Sequence, residues 1–130
     1  MLKIKIYTPN GLYKECEASS INVFTTDGQR GISENHMSIV APLVISRFEI
    51  VNNNSKDYYA IGQGVLYFEN KEAKVIVETI EHKDEIDITR AKSARDRALK
   101  RIESNDTNID IKRAEVALAR ALNRINIYNL

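Results

Sequence analysis

The chain is poor in the residues that would announce a chemistry. Its 130 residues contain one cysteine (Cys16), no tryptophan, two histidines, two prolines and five glycines. A single cysteine excludes an internal disulfide and a four-cysteine zinc site, and it fits a reducing compartment. His36 and His82 lie far apart, without metal-ligand spacing, so no metal site is expected. No apolar run approaches the roughly 18 residues of a membrane span. The opening Met1-Leu2-Lys3-Ile4-Lys5-Ile6 alternates charge and apolarity, unlike the continuous core of a signal peptide. The phosphate-loop pattern Gly-x-x-x-x-Gly-Lys is missing too. No nucleophile–base pair stands out, and Cys16 reads as a small core or surface residue. A net charge of +1 argues against a globally basic polyanion binder.

What the chain does have is unevenly distributed. All glycines and prolines precede Val65. Residues 1–85 carry nine Lys/Arg and twelve Asp/Glu, a net −3, whereas residues 86–130 carry ten and six, a net +4. Two modules of opposite sign follow, with a boundary between residues 85 and 86.

The first module reads as strands. Leu2, Ile4 and Ile6 alternate with Lys3 and Lys5, the period of a half-buried strand. Further strand signals are residues 20–26 before Asp27-Gly28, 39–45 with Pro42 demanding an edge or bend, 47–51, 58–61, 65–69 and 73–80. Gly28-Gln29-Arg30-Gly31 reads as a turn. Short strands with frequent turn signals point to an antiparallel β-sandwich or barrel.

The second module reads as an antiparallel two-helix hairpin, making the whole chain α+β. Asp87 is placed to N-cap the first helix, whose apolar stripe is Ile88, Ala91, Ala98, Leu99 and Ile102. Asp84 and Glu85 complement the helix dipole. Lys92, Asp96 and Lys100 offer i,i+4 pairing. Ser104-Asn105-Asp106 breaks the helix, and Thr107 to Asp110 resembles a capping box. The second helix places Ile111, Ala114, Leu118, Ala121, Leu122 and Ile125 on one stripe.

Each helix also carries an arginine stripe at i, i+4, i+7, i+11: Arg90, Ala94, Arg97, Arg101 and Arg113, Ala117, Arg120, Arg124. The plain reading is a solvated basic face. The other is an anion receptor, because guanidinium forks suit phosphate and carboxylate. A stand-alone polyanion- or nucleic-acid-binding module is one form of that second reading. It would show steeply salt-dependent retention on a polyanion column.

In order along the chain, these residues resemble the epsilon chain of bacterial F-type ATP synthase, of the nucleotide-binding subtype. The resemblance rests on Gly28-x-x-Gly31-Ile32 followed by His36, on Val40-Ala41-Pro42-Leu43, on Gly62-x-Gly64-Val65, and on Ile86-Asp87-Ile88-Thr89-Arg90-Ala91. Glu34 and Ser38 stand where prolines are usual, and Gln63 where a glycine is. The resemblance implies a non-catalytic subunit. Its sandwich would bind the gamma subunit and the c-ring within the rotating central stalk that couples proton or sodium flow to ATP synthesis. Its hairpin would permit ATP hydrolysis when folded on the sandwich and inhibit it when extended towards acidic segments of the catalytic beta subunits. It further implies ATP as a regulatory ligand, with no required cofactor, at Glu81, Asp87, Arg90, Ala91, Arg97, Arg120 and Arg124. Partner contacts would fall at Gly31, His36, Arg113, Arg120 and Arg124. No nucleic acid and no membrane insertion are expected, and the protein would sit peripherally on the cytoplasmic face of the bacterial membrane.

Overall fold

The structure is a computed structural model that describes residues 1–104 and 110–130. The chain divides into two units, Met1–His82 and Lys83–Leu130. Ten strands build the first: β1 (Leu2–Thr8), β2 (Gly11–Ala18), β3 (Ser20–Thr25), β4 (Gly28–Ser33), β5 (Ile39–Leu43), β6 (Ser46–Asn52), β7 (Ser55–Ile61), β8 (Gly64–Glu69), β9 (Glu72–Val77) and β10 (Ile80–His82).

Pairing orders them into two five-stranded layers. One runs β4-β3-β6-β7-β10 and the other β5-β8-β9-β1-β2. The layers join at a single ladder position, Thr25 with Leu43. They close face to face on a core in which Leu2, Ile4, Ile6, Ile21, Val23, Phe48, Leu66 and Val75 are buried. Alternation explains this: in β1, β3, β8 and β9 every second residue is apolar and points inward. A β-bulge between Ile6 and Tyr7 leaves Tyr13 of β2 without a partner position, and its ring meets Tyr59 of β7 edge-on at 6.4 Å, bridging the layers.

The sandwich expected from the sequence is therefore present, with one pair that is not antiparallel: β1 and β9 run parallel. Three strands have no counterpart of their own among the strand signals: β2, β4 and the short β10, of which the 73–80 signal reached only Ile80. β2 exposes most of its length as a charged edge, and β4 absorbs Gly31, so Gly28-x-x-Gly31 is a strand after a turn rather than a turn. Gly28 begins it at φ +112°, a conformation open to glycine. Pro42 lies in β5, whose ladder runs along β8 while its other edge meets β3 only at Leu43, so the missing N–H is tolerated.

Two of the five passages between layers run side by side. The β7–β8 corner (Gly62 to Gly64) lies against the β9–β10 corner, with Gly62 N donating to Thr79 O and Glu78 N to Gln63 O, both at 3.0 Å. A Cβ on Gly64 would stand 2.1 Å from the Ile76 carbonyl oxygen, and one on Gly62 2.6 Å from Glu78 Cγ. Two residues, Asn70 and Lys71, close the β8–β9 hairpin at φ 51° and 64°, a type I′ turn.

The second unit holds a short 3₁₀ turn (Lys83–Glu85), α1 (Ile88–Glu103) and α2 (Ile111–Tyr128), and the two helices pack along each other. Asp87 caps α1, accepting from Arg90 N at 3.1 Å. Asp110 does the same for α2 through Arg113 N at 3.1 Å. Asp110 is thus the cap itself, not the third helical residue of a capping box; the rest of that motif, like Asn105-Asp106, lies outside the described residues. Ser104 is the C-cap of α1. Buried on the helices are Ala91, Ala98, Ala114, Ala121, Ile125 and Ile127. Leu99, Ile111 and Leu122, expected on the stripes, are exposed, because the alanine seam is narrow.

Substituting Gly64→Ala should destabilise the chain by about 3 kcal/mol or more, since the added carbon meets backbone that cannot yield. Lys71→Gly should stabilise it by about 0.5–1 kcal/mol by relieving the left-handed conformation. Urea unfolding midpoints read both. Equal midpoints for all three proteins would contradict the strain argument.

Candidate functional site

The hairpin presents its arginines unequally. Arg90, Arg97, Arg101 and Arg113 are exposed, whereas Arg120 and Arg124 are half-buried. Among the described residues the guanidinium groups of those four exposed arginines have neither an ion pair nor a hydrogen bond. Ala94 and Ala117 lie between arginines of their stripes and are half-buried. The expected Lys92–Asp96–Lys100 pairing is not what forms: Asp96 takes the neighbouring Arg95, Nε to Oδ1 at 3.1 Å. The hairpin thus offers unneutralised forks, which can bind phosphate or carboxylate oxygens bidentately.

Of the other residues singled out in the sequence, Asp87 spends a carboxylate oxygen on its own helix, and Ala91 is buried in the helix seam. Glu81 stands in the middle of β10, the edge strand of the first layer, opposite Ala60. Gly31 and His36 belong to the opposite edge of the first layer and the loop that follows it. Gly31 lies in β4 opposite Asn22, and His36 follows β4, its ring edge-on to Phe68 at 6.0 Å and its Nδ1 bonded to Met37 O at 2.7 Å. Glu34 in the same loop accepts from the Met1 amine at 2.7 Å, and that hydrogen bond, with the amine charge, lowers its carboxyl pKa. Burial raises the Cys16 thiol pKa.

Two surfaces escaped the sequence reading. The outer face of the second layer carries an unbroken cross-strand apolar row: Pro42, Val65, Ile76, Tyr7 and Leu12 are successive ladder partners. Val40 and Tyr67, partners in the adjacent row, extend it, and both are exposed. The signal was present as apolar residues on both parities of β5, β8 and β9. On the outer face of the first layer, Glu49 is buried; Asn22 Nδ2 donates to its Oε2 at 2.7 Å and Arg47 Nε lies 3.1 Å from its Oε1.

Comparison with known proteins bears on the whole length. Residues 1–83 match the family model for the ATP synthase delta/epsilon chain β-sandwich domain, and residues 84–129 match that for its long α-helix domain. The chain belongs to the ATP synthase epsilon chain family. It is 37% identical over 107 residues to the ATP synthase epsilon chain of Lactobacillus helveticus, covering 79% of this chain and 73% of that one. It is 40% identical over 106 residues to that of Macrococcus caseolyticus, covering 80% and 78%. Among solved structures, a chain of the Euglena gracilis mitochondrial ATP synthase (OSCP/F1/c-ring) shares the fold, with TM-score 0.79, 20% identity and coverage of 89% and 74%. One from the central stalk and c-ring of the Tetrahymena thermophila enzyme aligns with TM-score 0.57 at 13% identity, covering 98% and 92%. Among the described residues no helix is long and apolar enough to cross a membrane, and no cluster could hold a metal ion.

Each capping carboxylate anchors one arm of this family hairpin. Asp87→Ala and Asp110→Ala should each lower stability by about 1 kcal/mol, and together by about the sum. Helical circular dichroism across a thermal melt measures this; two variants melting like the parent would show that the caps do not hold the helices.

Proposed function

We propose that this epsilon-family chain is a non-catalytic subunit of the central stalk of a rotary ATP synthase. In that role it contributes to coupling proton or sodium flow to ATP synthesis and restrains ATP hydrolysis through its C-terminal hairpin. The observation that carries the reading is the match of both units, in order, to the two domains of the family. The apolar outer row of the second layer supports a protein partner. Exposed Val40, Tyr67 and Ile76 in one patch are a desolvatable surface of the kind that marks an interface. We assign that surface to the gamma subunit, and the loop of Gly31 and His36 to the c-ring. The assembled chain then lies peripherally at the cytoplasmic face of the membrane.

ATP acts here as a regulatory ligand of the hairpin. The exposed arginines Arg90 and Arg97, with Arg120 and Arg124, take the phosphates. Asp87, the backbone at Ala91, and Glu81 of the sandwich serve the ribose or adenine. The helix seam is made largely of alanines, and small side chains bury little area at about 25 cal/mol per Å². Such a seam is weak enough to rearrange. A ligand that binds only one arrangement adds RT ln(1 + [L]/Kd), about 2.7 kcal/mol at a hundredfold excess. That shifts the population roughly a hundredfold. In the other arrangement the same arginines, with Arg113, meet acidic segments of the catalytic beta subunits.

Two measurements check this. Calorimetry on the full chain should show ATP binding, weakened about tenfold or more in Arg90→Ala and in Arg124→Ala, and the titration repeated without Mg²⁺ defines the metal requirement. No heat at millimolar ATP would remove the nucleotide role and leave the stalk role standing. Co-expression with gamma should yield a stable complex that Ile76→Glu disrupts; a complex indifferent to that charge would move the gamma contact off this face.

A further inference from the structure

We propose that Lys74 decides the chemistry of the protein that covers the apolar row of the second layer: the partner has to bring an acidic side chain against it. This rests on the reading above that the face meets the gamma subunit, and it names what gamma supplies there. Lys74 stands on β9 directly opposite Tyr67 on β8 and two residues before Ile76 on its own strand. Residues two apart on a strand share a face, so Lys74 lies inside the patch, between exposed Tyr67 and Ile76, and not on its rim. Its other cross-strand neighbour is a second cation, Lys5 on β1.

The other lysines of this face are already matched. Lys5 Nζ is 3.2 Å from Glu72 Oε1, and the hydrogen bond and charge of Glu72 raise the Lys5 pKa. Lys3 Nζ is 3.0 Å from Glu15 Oε1. Lys74 has neither an ion pair nor a hydrogen bond among the described residues. Glu69, two residues beyond Tyr67 on β8, is likewise unpaired, in the row farther from Ile76. Any surface that dries Tyr67 and Ile76 also dries the ammonium between them. Taking an unpaired charge out of water is costly, and a carboxylate placed against it offsets that cost. The face therefore discriminates: a wholly apolar or a basic cover is penalised, and an acidic one is accepted.

The test is dissociation of the full chain from an epsilon-free catalytic complex that retains gamma. Lys74→Met should leave the partner's carboxylate unpaired and speed dissociation about tenfold, and Lys74→Glu about a hundredfold. Lys74→Arg keeps the charge and should stay within about threefold of the parent. Lys56 is another exposed lysine, on β7 of the other layer, so Lys56→Glu should behave as the parent. Lys74→Glu sets a carboxylate opposite Lys5, which keeps the fold, and Lys74→Met reads the contact independently. Lys74→Met dissociating no faster than the parent, while Ile76→Glu fails to bind, overturns the acidic contact alone, since the lysine then serves only by its apolar stem. An equal loss in Glu69→Gln also overturns it, because Lys74 would be turning to a carboxylate of its own chain. So does an equal loss in Lys56→Glu, which would make the effect one of net charge. Indifference of Ile76→Glu removes gamma from this face, and the Lys74 contact with it.

Discussion

The backbone contact at Gly62 and Gly64 is the constraint on which the first unit rests. Two corners cross there, each carrying the chain from one layer to the other, and the carbonyl of Ile76 occupies the space a side chain on Gly64 would need. Because the corners touch, β7 and β10 emerge as neighbours on one layer while β8 and β9 emerge as neighbours on the other. The position of Glu81 on the outer face and the departure of the chain at His82 both follow from that crossing. Hydrogen bonds from Gly62 N and Glu78 N satisfy the backbone at the corners, so the exchange leaves few buried orphans.

The two layers then differ in what they turn outward. The second shows an apolar row ending in exposed Leu12, with lysines and glutamates beyond it: Lys5 meets Glu72 at 3.2 Å and Lys3 meets Glu15 at 3.0 Å. A patch rimmed by mutually neutralised charges presents little long-range field and much area to desolvate, which suits a permanent protein neighbour. The first layer turns out a buried carboxylate, a clamped arginine and Ala60, a face whose information lies in directed polar groups. One fold thus carries an apolar face and a face of directed polar groups on opposite sides of a single core.

How much of this was legible depended on whether a residue's periodicity or its neighbours decided its place. Leu2, Ile4 and Ile6 alternate, and they are inside; Asp87 precedes a helical stripe, and it caps. β2 and β4 were invisible because edge strands that bury little need not alternate: Lys14, Glu15 and Glu17, or Gln29 and Arg30, carry no apolar period. Leu99 and Leu122 fell on computed stripes but outside the seam, because alanines let the helices approach closely and leave the flanking leucines uncovered. Arg47 could not be found at all. Its surroundings are Phe24, Glu49 and Tyr58, which come together only when β3, β6 and β7 align.

The same distinction explains the charge division. A total of +1 would describe a protein indifferent to anions. The excess instead sits on a hairpin where, among the described residues, Arg90, Arg97, Arg101 and Arg113 have no carboxylate partner, and Asp96 is taken by Arg95. Unpaired like charges along two adjoining helices repel, and that repulsion weakens a seam already short of buried area. Any anion that settles among them therefore contributes twice, by its own contacts and by removing the repulsion. A hairpin with so narrow a seam is therefore sensitive to the charge of its surroundings.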